Sequence, residues 1–211
     1  KIATNVWLDD QIPRWAPERR RVPIHLGPVK KRAATLAAAA DSTPMVAVCN
    51  YEACFRSPLA ELLLKIPWDA MVVDESHRIQ KPTGRISRFC ASLARRIPRR
   101  LIMTGTPISS AAGPLAIWGQ YRACDASVLE RTFTQFRARY STPVPWGEPY
   151  QFMLVQRGSR QPQPWAYRNL EDLTARMGTI AYQVDTRKVF ENLPEVVDVE
   201  RSVTLEPDAM R

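Results

Sequence analysis

Two short apolar runs, each followed directly by polar residues, constrain the fold of this 211-residue chain more than any other feature. Residues 70–73 read Ala-Met-Val-Val and lead into Asp74 and Glu75, and residues 101–103 read Leu-Ile-Met and lead into Thr-Gly-Thr-Pro. Short runs of this kind are typical of buried strands in a parallel sheet. Because ligands bind at the carboxyl edge of such sheets, the sequence predicts a site where both runs end.

Predicted strands and helices alternate along the first half of the chain. Apolar runs predict strands at 22–26, 46–49, 70–73 and 101–103, and helical patterns are found at 30–40, 57–66 and 86–97. Crossovers between parallel strands are right-handed almost without exception, which limits how such a succession can fold. The pattern therefore predicts an α/β fold with a parallel, doubly wound sheet flanked by helices.

After Pro107 the pattern becomes mainly helical. Apolar residues predict two helices between 115 and 140, followed by a proline-rich stretch from Ser141 to Trp165 that is predicted to be an irregular loop. A further helix is expected between Asn169 as its N-terminal cap and Gly178 as its end. The sequence thus predicts a helical extension after the α/β part.

The neighbouring carboxylates after residue 73 have two readings. Acidic residues often cap the helix that follows them, and Thr-Gly-Thr-Pro is an ordinary turn before a helix. Alternatively, one acid can hold a hydrated Mg²⁺ while its neighbour polarises water for attack on a phosphate. The occurrence of both patterns in register at two strand ends favours the second reading.

Residues 68–79 and 100–108 resemble motifs II and III of superfamily 2 helicases, which are DEAD/DEAH-box-like. The most similar branch is the Swi/Snf-like group of double-stranded DNA translocases. Residues 7–17, 46–52 and 193–205 resemble further segments of that group in the same order. The resemblance implies a RecA-like fold and an ATP-hydrolysing motor that moves on DNA.

The resemblance also implies three parts in the chain. Residues 1–125 would form the first RecA-like motor lobe, 126–190 a helical protrusion with an irregular loop, and 191–211 the crossing to the second lobe with its first strand. No Gly-x-x-x-x-Gly-Lys-Ser/Thr sequence occurs among the 211 residues, so the phosphate loop of this lobe is absent from them. We therefore read the chain as a fragment, and we expect these residues alone to hydrolyse ATP poorly or not at all.

Residue roles follow from the resemblance. Asp74 would hold Mg²⁺ through water, and Glu75 would orient and deprotonate the water that attacks ATP. The residues implied in coupling nucleotide state to DNA are His77, Thr104, Gly105 and Thr106. The candidate nucleic-acid contacts are Asn50, Tyr51, Lys81 and Arg85. The group usually has a lysine near position 80, where this sequence has Gln80 followed by Lys81.

Composition agrees with a nucleic-acid partner. The formal net charge is +9 and the isoelectric point is about 9.8, which favours a polyanion, and the resemblance implies double-stranded DNA. No apolar run approaches the roughly 20 residues of a membrane span, and no secretory signal pattern is visible. We expect a monomeric motor in the cytoplasm or on the nucleoid. The four cysteines lack the paired spacing of a zinc site and are predicted to be structural thiols, and His25 is predicted to be structural.

Three function classes remain open on the sequence alone. The first is an ATP-driven DNA translocase or helicase, and the second is a nucleic-acid-binding module without ATPase activity. The third is a nuclease that uses paired acids and metal, which would require more metal ligands than the two histidines of the chain readily provide. Sequence upstream of residue 1 that carries a Gly-Lys-Thr loop would favour the first class over the second.

Overall fold

The computed structural model describes residues 3–40, 44–108, 113–143 and 165–184. The chain divides into two compact units, Lys1–Thr179 and Ile180–Arg211. All the helices and strands given below belong to the first unit. Among the described residues, no helix combines the length and apolarity that crossing a membrane requires.

A first parallel pair of strands lies near the start of the described chain. It is preceded by a π-helix at Ala3–Gln11, which continues into the short helix α1 (Ile12–Trp15). The elements that follow are β1 (Arg20–Pro23), α2 (Val29–Ala40), β2 (Met45–Val48), α3 (Tyr51–Cys54) and α4 (Leu59–Lys65). Strands β1 and β2 pair in parallel, and α2 is the helix between them in the chain.

The second parallel pair carries the two runs singled out in the sequence. Its elements are β3 (Ala70–Val73), a 3₁₀ turn (Ser76–Ile79), α5 (Arg85–Ala94) and β4 (Arg99–Ile102). Backbone hydrogen bonds continue past the strand ends, because Met103 N donates to Val73 O at 2.9 Å and Ser76 N donates to Met103 O at 2.8 Å. The residues that leave β3 and β4 are therefore held side by side.

A mostly helical part follows β4. It contains a 3₁₀ turn (Gly113–Ala116), α6 (Ile117–Cys124), α7 (Phe133–Tyr140), β5 (Ser141–Pro143), β6 (Trp165–Tyr167) and α8 (Leu170–Gly178). Helix α7 begins with a capping box, in which the hydroxyl of Thr132 accepts from Gln135 N and the Gln135 side chain accepts from Thr132 N. Strands β5 and β6 pair antiparallel.

Three buried clusters form the core of this unit. The first surrounds Leu36 and Leu59 beneath β1, and a smaller one lies against β3 with Val73 and Ile79. The third is rich in aromatic rings, with the centroids of Phe136 and Tyr140 4.8 Å apart. Burial of each large apolar side chain contributes about 1.5–3 kcal/mol, so these clusters hold the helices against the strands.

The α/β class predicted from the sequence is confirmed, and both strand pairs of the first half are parallel. The described residues form two-stranded sheets rather than one continuous sheet, so the doubly wound arrangement stays a prediction. The expectation that residues 70–73 form a buried strand was wrong for one face. Val72 and its neighbour Leu101 on β4 are 51% and 52% exposed, because the helices that pack on this pair cover only the side of Val73.

One further prediction differs from the structure in part, and another lies outside the described residues. The ends of the stretch Ser141 to Trp165, predicted as an irregular loop, pair as β5 and β6, while residues 144–164 lie outside the described residues. The strand expected within 193–205 also lies outside them.

Gly119 allows α6 to approach the 3₁₀ turn that follows β3. A Cβ atom at this position would lie 2.4 Å from the carbonyl oxygen of Ile79 and 2.9 Å from that of Gln80. These atoms belong to the backbone, so they cannot swing aside as a flexible side chain would. The absence of a side chain at Gly119 therefore sets how closely α6 approaches the turn.

We predict that Gly119→Ala lowers the free energy of unfolding by about 1–3 kcal/mol, because the added methyl group forces helix and turn apart. Denaturant titration followed by circular dichroism measures the change. Gly178→Ala is the matched control, since a Cβ there meets no atom within 4 Å, and it should cause no loss. Equal stability of the two variants would contradict the close approach.

His25 provides a pH-dependent contribution to stability. It is 6% exposed, and burial together with the positive charge of Arg32 lowers its pKa. The unfolded chain therefore takes up a proton on this side chain at a higher pH than the folded chain does. Stability should be complete above the ordinary histidine pKa of about 6.5 and should fall as the pH drops below it.

We predict that unfolding free energy is lower at pH 5.5 than at pH 7.5, and that His25→Asn reduces this difference. The chain has only two histidines, so His77→Asn is the matched control and should leave most of the dependence in place. Urea titrations at both pH values provide the measurement. An unchanged pH dependence in His25→Asn would rule out this origin.

Candidate functional site

The candidate site lies at the carboxyl ends of β3 and β4, where the sequence placed it. Asp74 directly follows β3, and Glu75 next to it adopts left-handed backbone angles of φ 51° and ψ 52°. This conformation costs a non-glycine residue about 1–2 kcal/mol. Such strain is concentrated at functional sites, where it fixes the direction of a side chain. The left-handed conformation of Glu75 turns the chain sharply away from β3, and the side chain of this residue is exposed.

Asp74 is held in place by three hydrogen bonds. The indole Nε1 of Trp7 donates to its Oδ2 at 3.0 Å, and the backbone N of Glu75 donates to its Oδ1 at 3.0 Å. The hydroxyl of Tyr51 donates to the Asp74 carbonyl oxygen, and burial raises the pKa of this phenol, which keeps it protonated as a donor. The π-helix therefore positions the Asp74 carboxylate, and α3 holds the backbone of the same residue.

Glu75, His77 and Thr104 meet between the two strand ends. The Nδ1 atom of His77 lies 3.2 Å from Glu75 Oε2 and 3.2 Å from Thr104 Oγ1, and the Thr104 hydroxyl lies 3.5 Å from the same carboxylate oxygen. Thr104 Oγ1 also accepts from Thr106 N at 3.1 Å. The structure thus joins the loop after β3 to the loop after β4 through direct contacts among these three side chains.

The open turn at Gly105 completes this edge. A Cβ there would meet no atom within 4 Å, and Thr106 beside it is exposed. Within the described part of the chain, both residues are therefore exposed at the carboxyl end of β4.

The chemistry of Asp74 fits a hydrated magnesium ion. Each carboxylate oxygen accepts one hydrogen bond within the protein and keeps further acceptor capacity. Mg²⁺ retains several waters and is usually bound through one or two carboxylates together with phosphates. Among the described residues there is no group of three or more histidine, cysteine or acidic side chains that could hold a metal, so the fit is to a single carboxylate.

The family model of the SNF2-related domain matches residues 2–193 of the chain. The chain belongs to the SNF2-related family. The match includes both strand pairs, the site at their carboxyl ends and the helical part that follows.

Curated relatives match over shorter stretches. The chain is 35% identical over 89 residues to the DNA excision repair protein CSB of Oryza sativa subsp. japonica, which covers 42% of this chain and 7% of that protein. It is 30% identical over 102 residues to the probable ATP-dependent DNA helicase CHR23 of Arabidopsis thaliana, covering 48% and 9%. With the TATA-binding protein-associated factor mot1 of Schizosaccharomyces pombe it shares 31% identity over 126 residues, covering 59% and 6%. The chain thus spans less than a tenth of the length of these relatives.

The four residues predicted to contact nucleic acid have different surroundings in this SNF2-related chain. The Asn50 side chain accepts a hydrogen bond from Arg32 at 2.6 Å, and the Tyr51 hydroxyl is engaged with the backbone after β3. The guanidinium of Arg85 lies 4.8 Å from the centre of the Phe55 ring, and Lys81 is exposed. Their role as DNA contacts stays a prediction.

Gln120 links the two loops of the site and was missed in the sequence. It is 1% exposed, and its Oε1 accepts from the hydroxyl of Ser76, itself fully buried, at 2.8 Å. Its Nε2 donates to the carbonyl oxygens of Pro107 at 2.7 Å and Ala116 at 3.2 Å. One buried amide therefore ties the turn after β3 to the turn after β4, through α6.

The hydrogen bond from the Trp7 indole to Asp74 was also missed in the sequence. No local signal reveals either contact, because 67 residues separate Trp7 from Asp74 and 44 separate Ser76 from Gln120. A polar residue among the apolar positions of α6 is the sequence feature that points to Gln120.

The cysteines have the character of structural thiols, as predicted. Cys54 and Cys90 are buried, and Cys49 and Cys124 are partly buried. Burial raises the pKa of Cys49 to about 11. This thiol therefore stays protonated at neutral pH, whereas metal binding and nucleophilic attack require the thiolate.

We predict that Ser76→Ala and Gln120→Leu each destabilise the fold, the second by about 1–3 kcal/mol, because each leaves a buried polar partner unsatisfied. The double variant should lose about 1 kcal/mol less than the sum of the single losses, since it removes both partners. Denaturant unfolding of the four proteins in this cycle measures the coupling. Strictly additive losses would show that the two side chains do not depend on each other.

Proposed function

We propose that this SNF2-related chain belongs to an ATP-driven DNA translocase or helicase, and that Asp74 and Glu75 act in ATP hydrolysis. The observation that carries the proposal is the convergence of Glu75, His77 and Thr104 at the ends of two adjacent parallel strands. The alternation of elements and the parallel pairing also support a RecA-like, doubly wound sheet. The name of the relative CHR23 includes ATP-dependent DNA helicase, which agrees with this reading.

The domain boundaries expected from the sequence are part of the proposal. Residues 1–125 form motor lobe 1, 126–190 form the helical protrusion with its loop, and 191–211 lead into motor lobe 2. The described elements up to Cys124 include both parallel strand pairs, which supports the first boundary. The last segment lies outside the described residues.

Asp74 would hold Mg²⁺ through water, and bound Mg²⁺ supplies charge neutralisation at the phosphate oxygens of ATP. Trp7 orients this carboxylate, and Tyr51 holds the backbone carbonyl of the same residue from a second helix. Glu75 accepts the proton of the attacking water, and its exposed carboxylate on a fixed backbone is suited to that task. Phosphoryl transfer depends mainly on positioning and charge, which these contacts provide.

His77 and the loop after β4 couple the nucleotide state of the site to the part of the protein that contacts DNA. A change at the Glu75 carboxylate alters its contact with His77 Nδ1, which also contacts Thr104. Thr104 in turn holds Thr106 N, and the open turn at Gly105 allows this loop to move. These contacts form a direct route from the hydrolytic carboxylate to the second loop.

Double-stranded DNA is the proposed partner. The net charge of +9 favours a polyanion, and the relatives CSB and CHR23 carry DNA in their names. The protein would then act on DNA, and we propose that it does so as a monomer. The alternative is a nucleic-acid-binding module without ATPase activity, which the same charge would suit, and hydrolysis separates the two.

We predict that Glu75→Gln, made in the protein that carries this chain, lowers DNA-stimulated ATP hydrolysis by about 100-fold or more, because it removes the general base. Phosphate release gives the rate, and a fluorescent ATP analogue should show that binding is retained. Glu61→Gln is the matched control, since Glu61 is an exposed carboxylate on α4 away from the site, and it should change the rate less than twofold.

Wild-type turnover in Glu75→Gln would refute the assigned role. Absence of hydrolysis from the wild-type protein, with DNA binding intact, would favour the binding module instead. These two results are distinct, because only the first is compatible with an ATP-driven motor.

A further inference from the structure

The positive charge of this chain is concentrated in one segment. Residues 76–124 contain nine arginines and lysines and no aspartate or glutamate. The remaining residues contain 21 of the 30 basic and all 21 acidic side chains, so they are neutral in sum. The net charge of +9 therefore equals the charge of one segment, which runs from Ser76 in the turn after β3 to Cys124 at the end of α6.

Part of this charge lines a groove between α5 and α6. The groove has a volume of about 380 Å³ and is lined by Pro82, Ser87, Arg88, Ala91, Ser92, Arg95, Trp118, Gly119 and Arg122. No carboxylate lies among these residues. Arg88 and Arg95 are exposed, and Arg122 is partly exposed. None of the three forms an ion pair with a carboxylate of the described residues.

The spacing of the arginines follows from the helix geometry. Arg88 lies on α5, and Arg95 directly follows the last residue of this helix with helical backbone angles. The two arginines are seven residues apart, which places them on one face about 10.5 Å apart along the helix axis. Arg122 faces them from α6, with its guanidinium 5.4 Å from the centre of the Trp118 ring. Phosphates of one DNA strand advance about 3.4 Å along the duplex axis, so the distance between Arg88 and Arg95 spans about three phosphate steps.

From this arrangement we infer that the α5–α6 groove is a binding site for the phosphate backbone of DNA, separate from the edge that carries Asp74 and Glu75. The inference extends the proposed function by adding a second DNA contact, and it rests on the proposed DNA partner but not on ATP hydrolysis. None of the nucleic-acid contacts predicted from the sequence lines this groove.

The observations favour a long polyanion over an acidic peptide. Six more basic residues lie outside the groove, all between residues 78 and 100, and a uniform chain of phosphates matches such an extended positive segment. The aromatic ring in the groove is not free to receive an apolar side chain. Trp118 Nε1 donates to the carbonyl oxygen of Glu130 at 2.8 Å, and Arg122 lies over its ring.

The test measures the salt dependence of DNA binding in the purified protein without nucleotide. The probe is a fluorescein-labelled 24-base-pair duplex of mixed sequence, titrated by anisotropy between 50 and 200 mM NaCl. The triple variant Arg88→Gln, Arg95→Gln, Arg122→Gln removes three phosphate contacts. The slope of log K against log[salt] should become less steep by about 2.7, at about 0.9 per contact, so the loss of affinity over this range shrinks by about 40-fold.

A matched triple variant controls for net charge alone. Arg14, Lys30 and Arg131 are exposed, lie outside the groove and form no ion pair with the described carboxylates. Their replacement by Gln changes the charge equally but should alter the slope by less than about 1. The triple change of the groove arginines to Lys should restore most of the slope, because lysine also neutralises phosphate.

Each outcome has a defined meaning. Equal slope changes in the two Gln triples, or none in either, would overturn the groove assignment while leaving DNA as the partner. Tighter binding of a labelled 12-residue polyglutamate than of the duplex, lost only in the groove variant, would also overturn it in favour of an acidic protein. If the wild-type protein binds no duplex, the proposed DNA partner itself fails. Thermal unfolding verifies that each variant folds, and if the triple does not, Arg88→Gln alone should reduce the slope by about 0.9.

Discussion

The parallel pairing of β3 with β4 is the constraint on which the rest of this structure depends. Backbone hydrogen bonds continue past the strand ends, from Met103 N to Val73 O and from Ser76 N to Met103 O. Without those two bonds, the carboxylates after β3 and the threonines after β4 would belong to independent loops. With them, Glu75 and Thr104 share His77 as a common neighbour. The site is therefore a consequence of backbone pairing, and the side chains refine it.

A second level of support comes from α6, which lies close to the turn after β3 because Gly119 has no side chain. That proximity brings Gln120 within reach of Ser76 and Pro107. A buried amide with all its groups satisfied is favourable, while one missing partner would be costly, so the pair specifies one arrangement of the two loops. The same helix forms one wall of the arginine groove, so one element supports the carboxylate edge and the basic surface.

Local elements of the chain were largely predictable. Residues 70–73 were expected as a strand and form β3 with the same bounds, and the helices predicted at 30–40 and 86–97 correspond to α2 and α5. Apolar periodicity and turn residues act over a few positions, and they are visible without the fold. The π-helix at the start and the antiparallel pairing of β5 with β6 were missed, because neither has a distinct local pattern.

The sequence by itself determined the α/β class, the two strand ends and the residue types offered there, since these follow from short-range patterns. Only the tertiary structure decided which side chains meet. The indole of Trp7 reaches Asp74 across 67 residues, and Gln120 reaches Ser76 across 44. The tertiary structure also decided that β3 is covered on one face and that arginines of α5 and α6 border one groove. The physical reason is that such contacts depend on how helices pack on the strands, and packing is set by the whole core at once.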